Sequence, residues 1–301
     1  MDMMNRIKQL KEEKNAVILA HYYVDADVQA AADFIGDSFY LAKKAAETDA
    51  DKIVFAGVEF MGESAKILNP TKHVYMPDAH ADCPMAHMVT IEKIKEMREK
   101  YDDLAVVCYI NSTAEIKTYS DVCVTSSNAV KIVNKLPNKN IFFIPDQNLG
   151  SYVATQVEGK NIILNNGFCP RHHIMTKEDV LNAKKEHPNA LVAVHPECKP
   201  EVLEDADYIG STSGIIDYIV GNDAKEFIVG TVDGVYATIL KQAPDKRLYN
   251  VVRTQVCPNM KLNSLEKIVH VLETGENEVF LDEEFMNKAK APLERMLELA
   301  K

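Results

Sequence analysis

Short β-branched apolar runs that stop abruptly at polar residues recur along this chain. Ala16-Val17-Ile18-Leu19-Ala20 runs into His21-Tyr22-Tyr23, Leu104 to Cys108 into Tyr109-Ile110-Asn111-Ser112, and Ala190 to Val194 into His195-Pro196-Glu197-Cys198. The polar ends fall at 21, 109 and 195, steps of 88 and 86, which points to a triplicated unit. Second runs at Lys52 to Gly57, Asp121 to Val124 and Ala206 to Ile209, and third runs at His73 to Met76, Asn140 to Ile144 and Glu226 to Val229, are expected to continue the repeat. Amphipathic stretches such as Val28 to Lys44 and Lys177 to Glu186 supply the intervening helices.

Strands alternating with helices imply βαβ crossovers and parallel sheets covered on both faces. The expected fold is therefore α/β, with three similar three-layer α/β domains in a pseudo-threefold arrangement around a central site. The repeat divides the chain at 1–86, 87–172 and 173–301, the last with a C-terminal helical extension. Ligands of open parallel sheets bind outside the carboxyl ends of the strands, where the polar tripeptides stand.

Composition narrows the class. With 301 residues, 47% of them hydrophobic, and only six cysteines, the chain is a folded globular protein, neither disordered nor a disulfide-stapled scaffold. Its net charge of −11 argues against a nucleic-acid partner, because duplex affinity comes chiefly from Lys and Arg. Met1 to Lys14 is charged and helix-like and no apolar stretch spans a bilayer, so a cytoplasmic protein with no membrane partner is expected. In that reducing compartment cysteines serve as core residues, nucleophiles or metal ligands.

Three of the six cysteines precede proline: Cys83-Pro84, Cys169-Pro170 and Cys257-Pro258, at steps of 86 and 88. Each stands in a turn, because proline ends regular structure. Cys108, Cys123 and Cys198 lie in or beside apolar runs and read as small buried hydrophobes. The close pairs of a structural zinc site are absent. Three isolated turn thiols would suit an iron–sulfur cluster with one iron left open, although spacing alone also allows a reactive-thiol set or coincidence.

His21, Tyr23, Tyr109, His195 and Glu197 can transfer protons or hold an oxyanion, and Ser38, Asn111, Ser126, Ser211 and Thr212 add uncharged donors. Donors feeding helix N-termini suit phosphate or carboxylate groups, while Ser126 and Ser211 could equally be helix caps. His73, His80, His87, His172, His173, His187 and His270 have no comparable support. The glycines form neither a dinucleotide fingerprint nor a phosphate loop, and Thr212 stands where a hydrolase elbow needs Ser.

Several segments together resemble the quinolinate synthase family: GVEFMGESAKIL from Gly57, MPDAHADCPM from Met76, YINST from Tyr109, PDQNLG from Pro145, GFCP from Gly167, HPEC from His195 and CPNMKL from Cys257. The likeness is nearly chain-long. It implies a 4Fe-4S cluster on Cys83, Cys169 and Cys257, and condensation of iminoaspartate with dihydroxyacetone phosphate to quinolinate with loss of phosphate and two waters. It further implies Tyr109 and Glu197 in catalysis, His21, Tyr23 and His195 around the substrate, and Ser38, Asn111, Ser126, Ser211 and Thr212 on its anionic groups. A functional link to the L-aspartate oxidase that supplies iminoaspartate would follow. After Gly230-Thr231 the chain reads Val232-Asp233 where the family leads one to expect an acidic residue directly after Thr, so residues 231 to 233 stay outside the expected site. The competing classes are an iron–sulfur sensor and a cluster-free sugar-phosphate aldolase or isomerase. An aldolase would want a buried lysine at a strand end, and none stands out.

Overall fold

The computed structural model describes residues 2–301 and contains three four-stranded parallel sheets. The first comprises β1 (Ala16–His21), β2 (Phe34–Gly36), β3 (Lys52–Ala56) and β4 (His73–Tyr75) in the order β2-β1-β3-β4. The second, β5 (Leu104–Tyr109), β6 (Val122–Val124), β7 (Asn140–Ile144) and β8 (Asn161–Leu164), has the order β6-β5-β7-β8. The third, β9 (Leu191–Val194), β10 (Tyr208–Ile209), β11 (Glu226–Gly230) and β12 (Arg247–Asn250), runs β10-β9-β11-β12. Strands thus start at 16, 34, 52 and 73, then 104, 122, 140 and 161, each 88 residues on, and then 191, 208, 226 and 247, a further 86 or 87.

This register corrects the expected matching of the later strands. Lys52–Ala56 is the counterpart of Asn140–Ile144 and Glu226–Gly230, and His73–Tyr75 is the outer edge strand of its sheet. The true second strand of the first unit, Phe34–Gly36, is three residues long and splits the supposed helix Val28 to Lys44 into Ala26–Ala31 and Ser38–Glu47. The outer strands β8 and β12 have no fully buried residue, and their apolar stretches, Ile162 to Leu164 and Leu248-Tyr249, are shorter than those of the central strands.

In every sheet the first strand in sequence lies second in space, so the chain leaves it in opposite directions to reach its two neighbours. That is the topological switch point, where a crevice opens beyond the carboxyl ends. Val17 to Ala20, Ala105 to Cys108 and Val192 to Val194 are buried, and the polar residues after them are the first free of the sheet's packing. The first two sheets share one apolar core through Phe55, Phe142 and Phe143, whereas the third has a separate cluster on each face. The helix Leu265–Thr274 packs on Met3–Lys14 and β3, and Glu283–Leu299 packs on β6.

Gln29 bolts the first unit to the third. It is 3% exposed, its Nε2 lies 2.9 Å from the carbonyls of Tyr22 and Gly234 and 3.1 Å from that of Val24, and its Oε1 accepts from Thr238 at 2.9 Å. Glycine is required opposite, since a Cβ at 234 would stand 2.5 Å from the Tyr22 carbonyl oxygen. Gln29→Leu leaves these buried carbonyls without their donor and should lower unfolding free energy by about 2–3 kcal/mol in chemical denaturation. A loss below about 0.5 kcal/mol would refute the bolt.

Candidate active site

The carboxyl ends of all three sheets line one cavity of about 860 Å³, its open mouth included. Three layers of matched positions form its wall. Residues at the ends of the switch-point strands come first: His21 and Tyr23, Tyr109 and Asn111, His195 and Glu197, the second of each pair in the turn or bend that follows the strand. Ser38, Ser126 and Thr212 form the second layer, at steps of 88 and 86, each in the loop or first turn after the second strand of its unit. The third is the set of Cys-Pro turns at Cys83, Cys169 and Cys257.

Ser211 is the one expected residue that does not line the cavity. Its hydroxyl accepts from the Gly214 amide at 3.2 Å and caps the helix Thr212–Gly221. It repeats Asp37 and Thr125 at the same steps, and Asp37 likewise caps Ser38–Glu47 through the Tyr40 amide. The capping alternative therefore describes Ser211, whereas Ser126 faces the cavity and the following helix begins after Asn128.

A hydrogen-bonded chain crosses the cavity floor. Tyr109 donates its hydroxyl to Glu197 Oε1 at 2.6 Å, and Glu197 Oε2 stands 2.7 Å from His172 Nδ1. His172 Nε2 is 2.9 Å from Thr231 Oγ1, which lies 2.7 Å from the Tyr23 hydroxyl, itself 3.0 Å from Thr212 Oγ1. Asn148 Nδ2 holds the Glu197 carbonyl at 2.9 Å from below. Glu197 is buried, and Lys199 faces Glu201 instead of it.

Burial raises the carboxyl pKa of Glu197, but the imidazoles of His172 and His195 and the Tyr109 hydroxyl outweigh it, so the group stays ionised. Burial, then the Glu197 charge, pushes the hydroxyls of Tyr109 and Tyr23 well above the usual phenol range. His21 and His195 are lowered to about 3 by burial, against the opposing pull of Glu197. Their Nδ1 atoms accept from the backbone amides of Tyr23 and Glu197 at 3.2 and 3.3 Å, so the proton of each neutral ring sits on Nε2. Asn111 Oδ1 is buried with no partner.

His172 and Thr231 were missed from sequence. His172 is 1% exposed and Thr231 is fully buried, and both belong to the chain. The repeat logic hid them, because the counterparts of His172 are Ala86 and Met260 and those of Thr231 are Gly57 and Pro145. The available signal was the Cys-x-x-His spacing, which puts His172 one helical turn beyond Cys169 and 3.2 Å from its sulfur. The fully buried lysine not anticipated from sequence, Lys117, bonds the Ser112 carbonyl, lies over the Phe60 ring and does not line the cavity.

The three turn thiols fit a metal group. All are unbridged, and each sulfur faces the backbone amides two and three residues on: Met85 and Ala86, Arg171 and His172, Asn259 and Met260. Amides so placed favour the thiolate. Burial nonetheless dominates and pushes the thiols up, Cys83 to about 12, so thiolates would persist only beside a positive group. Cys108, Cys123 and Cys198 are fully buried elsewhere. A second donor set, Cys169, His172 and Glu197, has ligand atoms within 4.8 Å of one another. Its 2.7 Å His172–Glu197 contact is a hydrogen bond, whereas donors about 2.0–2.3 Å from a tetrahedral ion stand more than about 3 Å apart.

The histidine environments have a measurable consequence. Below pH 6.5 the unfolded chain protonates both rings while the folded chain does so only near pH 3, so unfolding takes up protons and stability falls as pH drops through that window. Between pH 6 and 5 the loss should approach about 1.4 kcal/mol per unit for each histidine. A folded His21→Gln/His195→Gln variant should show a flatter profile, and an unchanged slope would contradict neutral rings.

The sequence profile of the family described as Quinolinate synthetase A protein matches residues 5–298. A quinolinate synthase of Fusobacterium nucleatum is 60% identical over 298 residues, covering 99% of each chain. One of Caldicellulosiruptor saccharolyticus is 51% identical over 294 residues, 98% of this chain and 97% of its own. A quinolinate synthase of the archaeon Methanosarcina barkeri is 48% identical over 296 residues, with coverage of 98% and 97%.

Proposed function

The chain belongs to the quinolinate synthase family, enzymes of NAD biosynthesis, and from that premise we propose that its cavity condenses iminoaspartate with dihydroxyacetone phosphate to quinolinate, releasing phosphate and two waters. The observation that carries this reading is the meeting of three Cys-Pro turns, one per repeat, at the cavity that holds Tyr109 and Glu197. Cys83, Cys169 and Cys257 would hold a 4Fe-4S cluster, whose iron without a protein ligand supplies Lewis acidity toward a substrate oxygen or nitrogen. The repeat supports three units in pseudo-threefold arrangement, bounded at 86 and 172. We take the enzyme to be cytoplasmic and functionally linked to an L-aspartate oxidase. No helix is long and apolar enough to cross a membrane.

The chain's own groups divide the proton transfers. Because His172 occupies Oε2 of Glu197, a proton taken from substrate lands on Oε1, beside the Tyr109 oxygen. Tyr109, kept protonated by burial and by Glu197, can pass its proton to a departing hydroxyl and be refilled from Oε1. The pair thus serves imine formation, isomerisation and two dehydrations at neighbouring carbons. His21 and His195 offer Nε2–H donors that cannot be lost to protonation near neutral pH, and these suit carbonyl or carboxylate oxygens. Ser38 and Thr212 open helices, where amides and dipole favour an anionic group.

Anaerobically purified protein should carry about four irons and matching sulfide per chain and form quinolinate. Cys83→Ala, Cys169→Ala and Cys257→Ala should each lose the metal, the visible absorption and the activity together. A colourless, metal-free wild type that still forms quinolinate would overturn the cluster assignment.

Glu197→Gln keeps the Tyr109 and His172 contacts but not the basicity, and should lower kcat about 10²–10⁴-fold with the visible spectrum unchanged. Wild-type kcat in that variant would remove Glu197 from proton transfer.

A further inference from the structure

The substrates of the proposed reaction carry a phosphate and two carboxylates, yet the cavity belongs to a chain of net charge −11 and is lined by Asp37, Asp82 and Glu197. Its histidines at 21 and 195 are neutral. Among the described residues, Arg171 is the one Lys or Arg that lines it, and its charge acts on Cys257 of the same wall.

Arg171 is also uncommitted. Arg6, Arg98 and Arg247 each pair with a carboxylate and Arg295 bonds a carbonyl, while Arg171, like Arg253 outside the cavity, makes no ion pair or side-chain hydrogen bond among the described residues. The carboxylates that share its cavity are engaged elsewhere: Asp37 by Ser213 and the Tyr40 amide, Asp82 by His87 and the Cys83 amide, Glu197 by Tyr109 and His172. Its counterparts in the other two Cys-Pro turns are Met85 and Asn259, so the threefold pattern of turns does not call for a cation here. Its backbone amide, not its side chain, serves the turn by facing the Cys169 sulfur.

We propose that Arg171 is the anion-binding residue of the cavity, gripping an oxyanion of the substrate, phosphate or carboxylate, through its planar guanidinium. This rests on the substrates proposed above. A guanidinium stays charged, presents paired N–H donors that match such oxygens, and draws anions against the field of an acidic protein. A half-exposed side chain without protein partners contributes little to folding, so it can be replaced without unfolding the chain.

Steady-state kinetics of the holoenzyme with Arg171→Gln and Arg171→Lys tests this, together with calorimetric titration of inorganic phosphate and of malate, a stable dicarboxylate. Arg171→Gln should raise KM about ten- to a hundredfold for the substrate whose group is gripped, with kcat changed less than about twofold, and should flatten the fall of kcat/KM with added salt. Arg171→Lys should recover part of the loss. Weakened phosphate binding alone identifies the phosphate as the group held, and weakened malate binding alone identifies a carboxylate. Wild-type KM values and salt dependence in Arg171→Gln, or a wild type that binds neither anion, would overturn the assignment. If the wild type forms no quinolinate but binds one of the anions in an Arg171-dependent way, the reaction assignment fails and the anion site stands.

Discussion

The centre of this molecule depends on keeping the Glu197 carboxylate charged while it is out of water. An ionised carboxylate without partners cannot be buried, since the cost of losing hydration far exceeds the stability of a domain. The chain answers with Tyr109 on one oxygen, His172 on the other and Asn148 on the backbone carbonyl. Tyr109 ends β5, His172 follows the Cys169 turn, and Glu197 follows β9, so the charge is stable only when the second and third units are docked. Gln29 makes the corresponding demand between the first unit and the third. Assembly of the units and formation of the Tyr109–Glu197 hydrogen bond are thus one event.

The same requirement explains which features were legible in the sequence. The repeat was visible because the switch-point strands must be buried on both faces and must end in polar groups at the cavity, and both demands leave a strong local pattern. β2, only three residues long, and the outer strands β8 and β12, which bury no residue fully, leave a weaker pattern, so they were missed and the later strands of the first unit were matched one element out of step. Site residues that obey the repeat, from His21 to Thr212, could be read from their spacing. His172 and Thr231 do not repeat: they compensate a charge that exists in only one unit, and nothing in the other two units points to them. Ser211 shows the opposite failure, since its type suits a ligand while its place in the repeat is that of the helix cap Asp37.

Divergence among the three units is therefore the informative quantity. One position two residues past the switch-point strand is Tyr23, Asn111 or Glu197: a phenol, an amide and a carboxylate. The strand-end position itself is His21, Tyr109 or His195. A strictly symmetric cavity would present three equal faces and could not tell the two ends of a substrate apart, nor keep one carboxylate charged beside two others. Substituting different residues at equivalent points keeps the backbone and its helix termini threefold while making the chemistry one-sided.

The third layer follows a different rule. All three turns keep cysteine, proline and two inward amides, the likeness in reach and charge that three thiols sharing the proposed metal group would need. Beyond the cysteine, however, the residues two places on are Met85, Arg171 and Asn259, and three places on Ala86, His172 and Met260. The middle turn alone carries an arginine and a histidine there, and it is the turn whose histidine meets Glu197. The same turn thus supplies both the histidine that meets Glu197 and an arginine whose charge acts on Cys257. On the proposed reading of Arg171, this one turn would serve anion attraction through its arginine and the buried Glu197 charge through its histidine.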